Sequence, residues 1–123
     1  MSKKKQRFNK WNPPEFIHRI GALYETKYGW AVSHKDTLYL NKDCDIGYGT
    51  YIQAKYKVFI GRNVQIGAHC LIYSYDSERD LTGPVYIEND VVIGAQTIIF
   101  PNTHIKPKTK IKAQSILDGG VYT

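Results

Sequence analysis

The sequence of 123 residues contains two cysteines, one methionine and no long run of apolar residues. A helix that spans a bilayer needs about 18 or more consecutive apolar residues, so a membrane-embedded protein is not predicted. The N-terminus is rich in lysine and lacks the apolar stretch of a secretory signal peptide. Two cysteines do not make the disulfide framework of a small secreted protein, although a single disulfide stays open. We therefore expect a cytoplasmic protein in which Cys44 and Cys70 are buried free thiols.

Positive charge is concentrated at the start of the chain. The formal net charge is +6, and the basic residues nearest the N-terminus are Lys3, Lys4, Lys5, Arg7 and Lys10. Residues 1–11 are interpreted as a basic, flexible and solvated tail. Contact with nucleic acid or a membrane is the alternative, but the tail has little aromatic interleaving and no recognisable binding module follows it. Neither nucleic acid nor a membrane is therefore predicted as a partner.

An aliphatic side chain returns every sixth residue from residue 40 onward. These repeated positions are Leu40, Ile46, Ile52, Ile60, Ile66, Ile72, Ile87, Ile93, Ile99, Ile105, Ile111 and Leu117. A six-residue period fits neither an amphipathic helix nor a hairpin array. It is typical of short strands joined by tight corners in a coiling β-solenoid. We therefore predict an all-β parallel β-helix for residues 40–123, with the repeated side chains pointing inward.

The repeat is interrupted twice, between Ile52 and Ile60 and between Ile72 and Ile87. If three hexads make one triangular coil, residues 40–123 build about four coils. The longer interruption is an inserted loop, residues 73–86, that is rich in Ser, Asp, Gly and Pro. Long excursions from a regular scaffold are where binding or catalysis is usually found, so this loop is predicted to belong to the functional site.

Residues 12–29 carry the signals of an α-helix. Asn12 can cap it, Pro13 suits its first turn and Gly29 can end it. Apolar residues then recur at helical spacing: Phe16, Ile17, Ile20, Leu23, Tyr24 and Tyr28. The open first coil of a solenoid exposes an apolar surface and strand edges, so we expect the helix to cap that end. Residues 12–39 are accordingly interpreted as a helical cap and lead-in.

Two hexads, residues 66–71 (IGAHCL) and residues 93–98 (IGAQTI), together with residues 92–116, resemble the hexapeptide-repeat acyltransferases, closest to the sugar O- and N-acetyltransferases. The resemblance implies a left-handed parallel β-helix and a homotrimer with sites between subunits. It also implies acetyl-CoA as the acyl donor and a hydroxyl or amine of a sugar or nucleotide sugar as the acceptor. In that family a loop at the place of residues 73–86 carries the acceptor site.

The resemblance also implies a histidine as general base, because imidazole exchanges protons close to neutral pH. The loop 73–86 contains no histidine. His69 lies just before it and is the first candidate, with an ordinary corner histidine as the alternative. His104 is the second candidate, brought across from a neighbouring subunit. His18 and His34 lie before the repeat and are interpreted as structural.

Small and basic residues are the candidates for binding CoA. Ala95 and Ala113 match positions where small side chains let the pantetheine arm lie against a coil, although tight corners favour small residues too. Alternation places a run of lysines on the outer surface, where it could meet the phosphates of CoA or prevent edge association. These lysines are Lys106, Lys108, Lys110 and Lys112. Acceptor-binding residues are predicted in the loop: Tyr73, Tyr75, Asp76 and Glu78.

Two other functions are open at the level of sequence. A catalytically inactive β-helix that serves as an assembly or binding scaffold is the main alternative, because the loop lacks histidine and the chain lacks the family's C-terminal arm after Asp118. The metal-dependent carbonic anhydrases use the same solenoid, but a catalytic zinc site needs three convergent ligands. Only His69 and His104 lie within the repeat, so no metal site is predicted.

Overall fold

The structure is a computed structural model that describes residues 15–123. It is an all-β stack of parallel coils that forms a β-solenoid of about five turns. A short 3₁₀ turn, Lys35–Thr37, is its one helical segment among the described residues. The strands are β1 (Phe16–Ile20), β2 (Leu23–Thr26), β3 (Ala31–Ser33), β4 (Leu38–Leu40), β5 (Asp45–Ile46), β6 (Tyr51–Gln53), β7 (Val58–Ile60), β8 (Gln65–Ile66), β9 (Leu71–Tyr73), β10 (Tyr75–Asp76), β11 (Leu81–Thr82), β12 (Val85–Ile87), β13 (Val92–Ile93), β14 (Ile98–Ile99), β15 (Thr103–Ile105), β16 (Lys110–Ile111), β17 (Ile116–Leu117) and β18 (Gly120–Tyr122).

Each of the first four coils contributes one short strand to each of three sheets, which form the faces of the solenoid, and the fifth coil contributes a strand to the first two. The first face contains β3, β6, β9, β14 and β17; the second contains β4, β7, β12, β15 and β18; the third contains β5, β8, β13 and β16. The first corner connects the first face to the second, the second corner connects the second face to the third, and the third corner connects the third face back to the first. Parallel hydrogen bonding between successive coils satisfies the backbone.

The repeated aliphatic residues form three inward columns, as the sequence predicts. On the second face the column is Leu40, Ile60, Ile87 and Ile105, and on the third face it is Ile46, Ile66, Ile93 and Ile111. The first-face column is Val32, Ile52, Ile72, Ile99 and Leu117. Nearly all of these side chains are buried, so burial of apolar area holds successive coils together.

The helix predicted for residues 12–29 is wrong over the described part of that range; residues 12–14, like the predicted tail 1–11, lie outside it. β1 and β2 form an antiparallel hairpin, and β2 pairs with β3, which extends the first face. Gly21 has a φ of 59° between the two strands, which suits a tight turn and interrupts a helix. The hairpin continues the sheet by pairing with β3, which a helix cannot do.

The first coil begins earlier than the repeat suggests. β3 and the first two residues of β4 belong to the segment interpreted as a lead-in, and Val32 begins the first-face inward column eight positions before Leu40. The spacing from Val32 to Leu40 is eight residues instead of six, as it is from Ile52 to Ile60. The six-residue period therefore does not reveal Val32 as the first repeated position. The described residues include no helix that is long and apolar enough to cross a bilayer.

Glycine is required at the third corner because successive coils approach closely there. A Cβ added to Gly47 would lie 2.5 Å from the backbone nitrogen of Ala68, and one added to Gly94 would lie 2.4 Å from that of Ala113. These contacts are with backbone, which cannot move aside without separating the coils. Gly47 and Gly94 therefore set the spacing of this corner.

Candidate functional site

A ladder of stacked rings runs along the outer surface of the second face. The rings of Tyr39 and Phe59 stack with centroids 4.8 Å apart, and those of Phe59 and Tyr86 also lie 4.8 Å apart with only 4° between their planes. His104 continues the ladder, with its ring centroid 5.3 Å from that of Tyr86. Each ring directly precedes an inward aliphatic residue and therefore faces outward from a central strand position. We call Tyr39, Phe59, Tyr86 and His104 the aromatic ladder.

His104 forms a hydrogen-bonded pair with Glu88. The Nε2 atom of His104 in β15 contacts Oε2 of Glu88, which follows β12 in the coil below. Both side chains are about one-third exposed, at 35% and 36%. A carboxylate at one ring nitrogen fixes the orientation of the imidazole and leaves the other ring nitrogen to face a ligand. The pair therefore has the arrangement of an imidazole base that is oriented by a carboxylate.

Two of the predicted phosphate-binding lysines follow His104 closely. Lys106 comes directly after β15 and Lys108 lies at the second corner, and both side chains are exposed. Lys110 belongs to β16 and faces outward from the third face, in register with Val92. Lys106 and Lys108 thus lie at the corner that directly follows the strand of His104, whereas Lys110 lies on the next face.

His69 lies at the third corner, not on the second face. Its φ is 56°, its side chain is exposed, and its ring meets that of Tyr48 edge-on at 6.0 Å. A Cβ added to Gly49 would lie 2.3 Å from its Nδ1 atom, so the imidazole covers that glycine. We find no side-chain hydrogen bond for His69 within residues 15–123. Its surroundings are those of a corner residue that packs on the coil below.

Ala95 and Ala113 lie at the same third corner. Their backbones pack against Gly67 and Gly94 of the coils below them. Above His69 the corner continues with Gln96 and Gln114, whose side chains hydrogen-bond to each other at 2.7 Å. A single chain therefore does not bring Ala95 or Ala113 next to His104, because the third corner lies opposite the second face.

Arg79 joins the inserted loop to the last coil of the solenoid through hydrogen bonds to Asp118. Its Nε atom donates to Oδ2 of Asp76, and its two terminal nitrogens donate to the carboxylate of Asp118 at 3.0 and 2.8 Å. The guanidinium also lies over the ring of Phe100, 5.0 Å from its centroid. Hydrogen bonds from Arg79 lower the pKa of both carboxyl groups. We call Arg79, Asp76, Asp118 and Phe100 the arginine clamp.

The predicted acceptor-binding residues are only partly available. The clamp occupies Asp76, which also accepts a hydrogen bond from the backbone of Glu78. Tyr73 is half-buried on the first face between the rings of Tyr51 and Phe100, and burial raises the pKa of its phenol. Tyr75 packs against Tyr56 with ring centroids 5.9 Å apart. Glu78 is exposed.

Two open grooves flank the aromatic ladder. The second-corner groove has a volume of about 560 Å³ and runs beside Tyr39, Phe59 and Tyr86 to Glu88 and Asn89. The first-corner groove, of about 420 Å³, lies on the other side, between the turn at residues 54–57 and the return of the inserted loop at Pro84. Both volumes fall in the range of small-molecule sites, about 300–1,000 Å³.

The two cysteines are buried free thiols, as predicted. Burial raises the pKa of Cys44 to about 11, and it raises the pKa of Cys70 as well. Both sulfurs contact backbone carbonyl oxygens inside the solenoid. A buried thiol that resists ionisation is a poor nucleophile, so neither cysteine is suited to covalent catalysis. Across the described part of the chain, no group of three or more His, Cys, Asp or Glu side chains is arranged to hold a metal ion.

Sequence reasoning missed Glu88 and Arg79, and it did not recognise the aromatic ladder. The ladder has a signal in the sequence, because each member directly precedes an inward residue: Leu40, Ile60, Ile87 and Ile105. His104 lies 16 residues from Glu88 and Asp118 lies 39 residues from Arg79, and the stacking of coils brings each pair together.

Comparison of the chain with family models, curated proteins and solved structures finds no match in any of the three.

Proposed function

We propose that the protein is an acyltransferase that moves acetyl from acetyl-CoA to a hydroxyl or amine of a sugar or nucleotide sugar. The observation that carries the proposal is the hydrogen-bonded pair of His104 and Glu88, which is about one-third exposed on a β-solenoid and is followed by Lys106 and Lys108. We further propose that the solenoid is left-handed and works as a cytoplasmic homotrimer, following the resemblance of its hexads to the hexapeptide-repeat acyltransferases.

His104 acts as the general base in this mechanism. Nε2 is held by Glu88, so Nδ1 is the atom that accepts the proton of the acceptor hydroxyl or amine. The acceptor atom bonds to the thioester carbonyl carbon, and the bond from that carbon to the CoA sulfur then breaks. The proton passes from the imidazolium to the departing thiolate, which yields free CoA and the acetylated acceptor. Glu88 stabilises the imidazolium between these two steps.

The basic run next to His104 supports CoA as the donor. Lys106 and Lys108 are exposed at the second corner, where they can meet the phosphate groups of CoA. Ala95 and Ala113 would line the CoA path from the third corner of a neighbouring subunit. Within one chain the third corner lies on the opposite side of the solenoid from His104. His69 would then line the pantetheine path and not act as the base.

The reaction is tested by measuring release of free CoA from acetyl-CoA in the presence of a panel of sugar and amino-sugar acceptors. His104→Asn should lower kcat by about a hundredfold or more, because it removes the base and keeps a polar side chain of similar reach. Glu88→Gln should lower kcat with little change in KM. Glu25→Gln is the matched control, since Glu25 forms a second His–Glu pair, with His18 on the N-terminal hairpin.

Two results would reject the proposal. If the intact protein neither releases CoA with any acceptor nor binds CoA by calorimetry, the scaffold alternative stands. If turnover occurs but His104→Asn and Glu25→Gln behave alike, the base lies elsewhere and His69 becomes the next residue to replace.

A further inference from the structure

The first-corner groove lies between two segments that the chain has lengthened. Its floor is the turn between β6 and β7, with Lys55, Tyr56 and Lys57, and its far wall is Thr82 and Pro84 of the inserted loop. The backbone of Val85 donates a hydrogen bond to the carbonyl oxygen of Lys57, which fixes the two walls relative to each other. The groove is therefore a fixed feature of the fold and separate from the His104–Glu88 pair.

The charges of the two grooves are opposite. Two lysines, Lys55 and Lys57, line the first-corner groove, and none of the described residues that line it is acidic. The second-corner groove contains Glu88 and, among its described lining residues, no lysine or arginine. Ammonium groups on the wall of a concave site attract anions, and lysine binds phosphate as a point charge. The first-corner groove is thus suited to an anionic group.

Aromatic side chains supply the apolar part of the same groove. Tyr56 is 38% exposed and Tyr86 is 39% exposed. The Nζ atom of Lys55 lies 5.5 Å from the centroid of the Tyr56 ring, so cation and ring occupy one wall. The faces of Phe59 and Tyr86 are stacked on each other, so they offer ring edges and the Tyr86 hydroxyl to a ligand. An apolar wall beside two cations fits a ligand with both a ring and a negative charge.

We propose that the first-corner groove binds a small molecule that carries a phosphate group on a ring-containing body, as a sugar phosphate or a nucleotide does. Lys55 and Lys57 contact the phosphate, and Tyr56, with the edges of Phe59 and Tyr86, packs against the ring. This site does not depend on acyl transfer, because its residues are distinct from His104, Glu88 and the lysines at the second corner.

The proposal is tested by titrating the full chain with five probes at low salt, using calorimetry and amide chemical shifts. The probes are inorganic phosphate, inorganic pyrophosphate, glucose, glucose 1-phosphate and a nucleoside diphosphate. We expect the two phosphorylated ring compounds to bind more tightly than glucose or either inorganic anion, with shifts at residues 55–57 and 82–86. Their ranking tells a sugar-phosphate site from a nucleotide site. Binding should weaken as salt is added.

Lys57→Gly is the informative variant because the φ of Lys57 is 85°, which glycine adopts more easily than lysine. It should leave the melting temperature unchanged or higher and weaken binding of the preferred probe about fivefold or more. Lys55→Ala should weaken binding similarly, whereas Lys42→Ala, an exposed lysine outside both grooves, should not. Equal binding of glucose and glucose 1-phosphate, shifts outside the groove, or full affinity in Lys57→Gly would each overturn the proposal.

Discussion

Replacing Ile99 by alanine tests whether the inward columns hold the solenoid together. Ile99 is fully buried in β14 and lies in register between Ile72 and Leu117. The change removes three carbon groups, worth about 2.4 kcal/mol at about 0.8 kcal/mol each. A cavity of about 60 Å³ adds about 1.4 kcal/mol at about 24 cal/mol per Å³. We therefore expect Ile99→Ala to lower the free energy of unfolding by about 4 kcal/mol.

Urea denaturation followed by circular dichroism measures this loss. With a slope of about 2 kcal/mol per molar urea, the midpoint should fall by about 2 M. Ile116→Ala is the matched control, because Ile116 lies in the neighbouring strand β17 but faces outward and is 65% exposed. It should cost less than about 0.5 kcal/mol. Similar losses in the two variants would refute the assignment of inward and outward positions.

Two pH-dependent predictions follow from the arginine clamp and from the buried thiols. Arg79 lowers the pKa of Asp76 and of Asp118 in the folded protein. The stabilisation that the clamp contributes is therefore complete at pH values above the ordinary carboxyl pKa, and it is lost as pH falls through the lowered pKa values. Arg79→Gln should flatten the acid limb of a plot of melting temperature against pH; an unchanged limb would mean that the clamp contributes no stability. Cys44 has its pKa raised from 9.0 to about 11, so the unfolded chain ionises first and stability should fall as pH rises through that window. Cys44→Ala should reduce this loss of stability at alkaline pH. A thiol reagent at neutral pH should label wild-type Cys44 only after the protein unfolds. Rapid labelling of the native protein would contradict the burial of Cys44.

The solenoid could be predicted from the sequence because its physics is local and periodic. Each hexad repeats the same inward position, so Ile60, Ile66 and Ile72 identify the core without any knowledge of the coils around them. The N-terminal hairpin could not be predicted in the same way. Its apolar spacing from Phe16 onward satisfies a helix, and the preference for strands comes from the edge of β3, which exists only after the first coil has formed.

The candidate site depends on which residues the coils stack together. His104 could be found by residue type alone, but its partner Glu88 depends on the register between β12 and β15. Asp76 has the right chemistry for an acceptor contact, yet Arg79 engages it, which the spacing of loop residues does not reveal. The residue types in the sequence thus indicate the candidate site residues, and the register between strands of successive coils determines which of these side chains are in contact.

All of the extra length in the coils is found at the first corner. The connections at the other two corners are constant, such as residues 41–44, 61–64 and 88–91 at the second corner. The first corner instead varies from residues 34–37 and 54–57 to the long segment 74–84. Lengthening this one edge leaves the vertical pairing of every strand undisturbed. The architecture thereby accommodates connections of different length along a single edge of the solenoid, while the three sheets keep the same pairing from coil to coil.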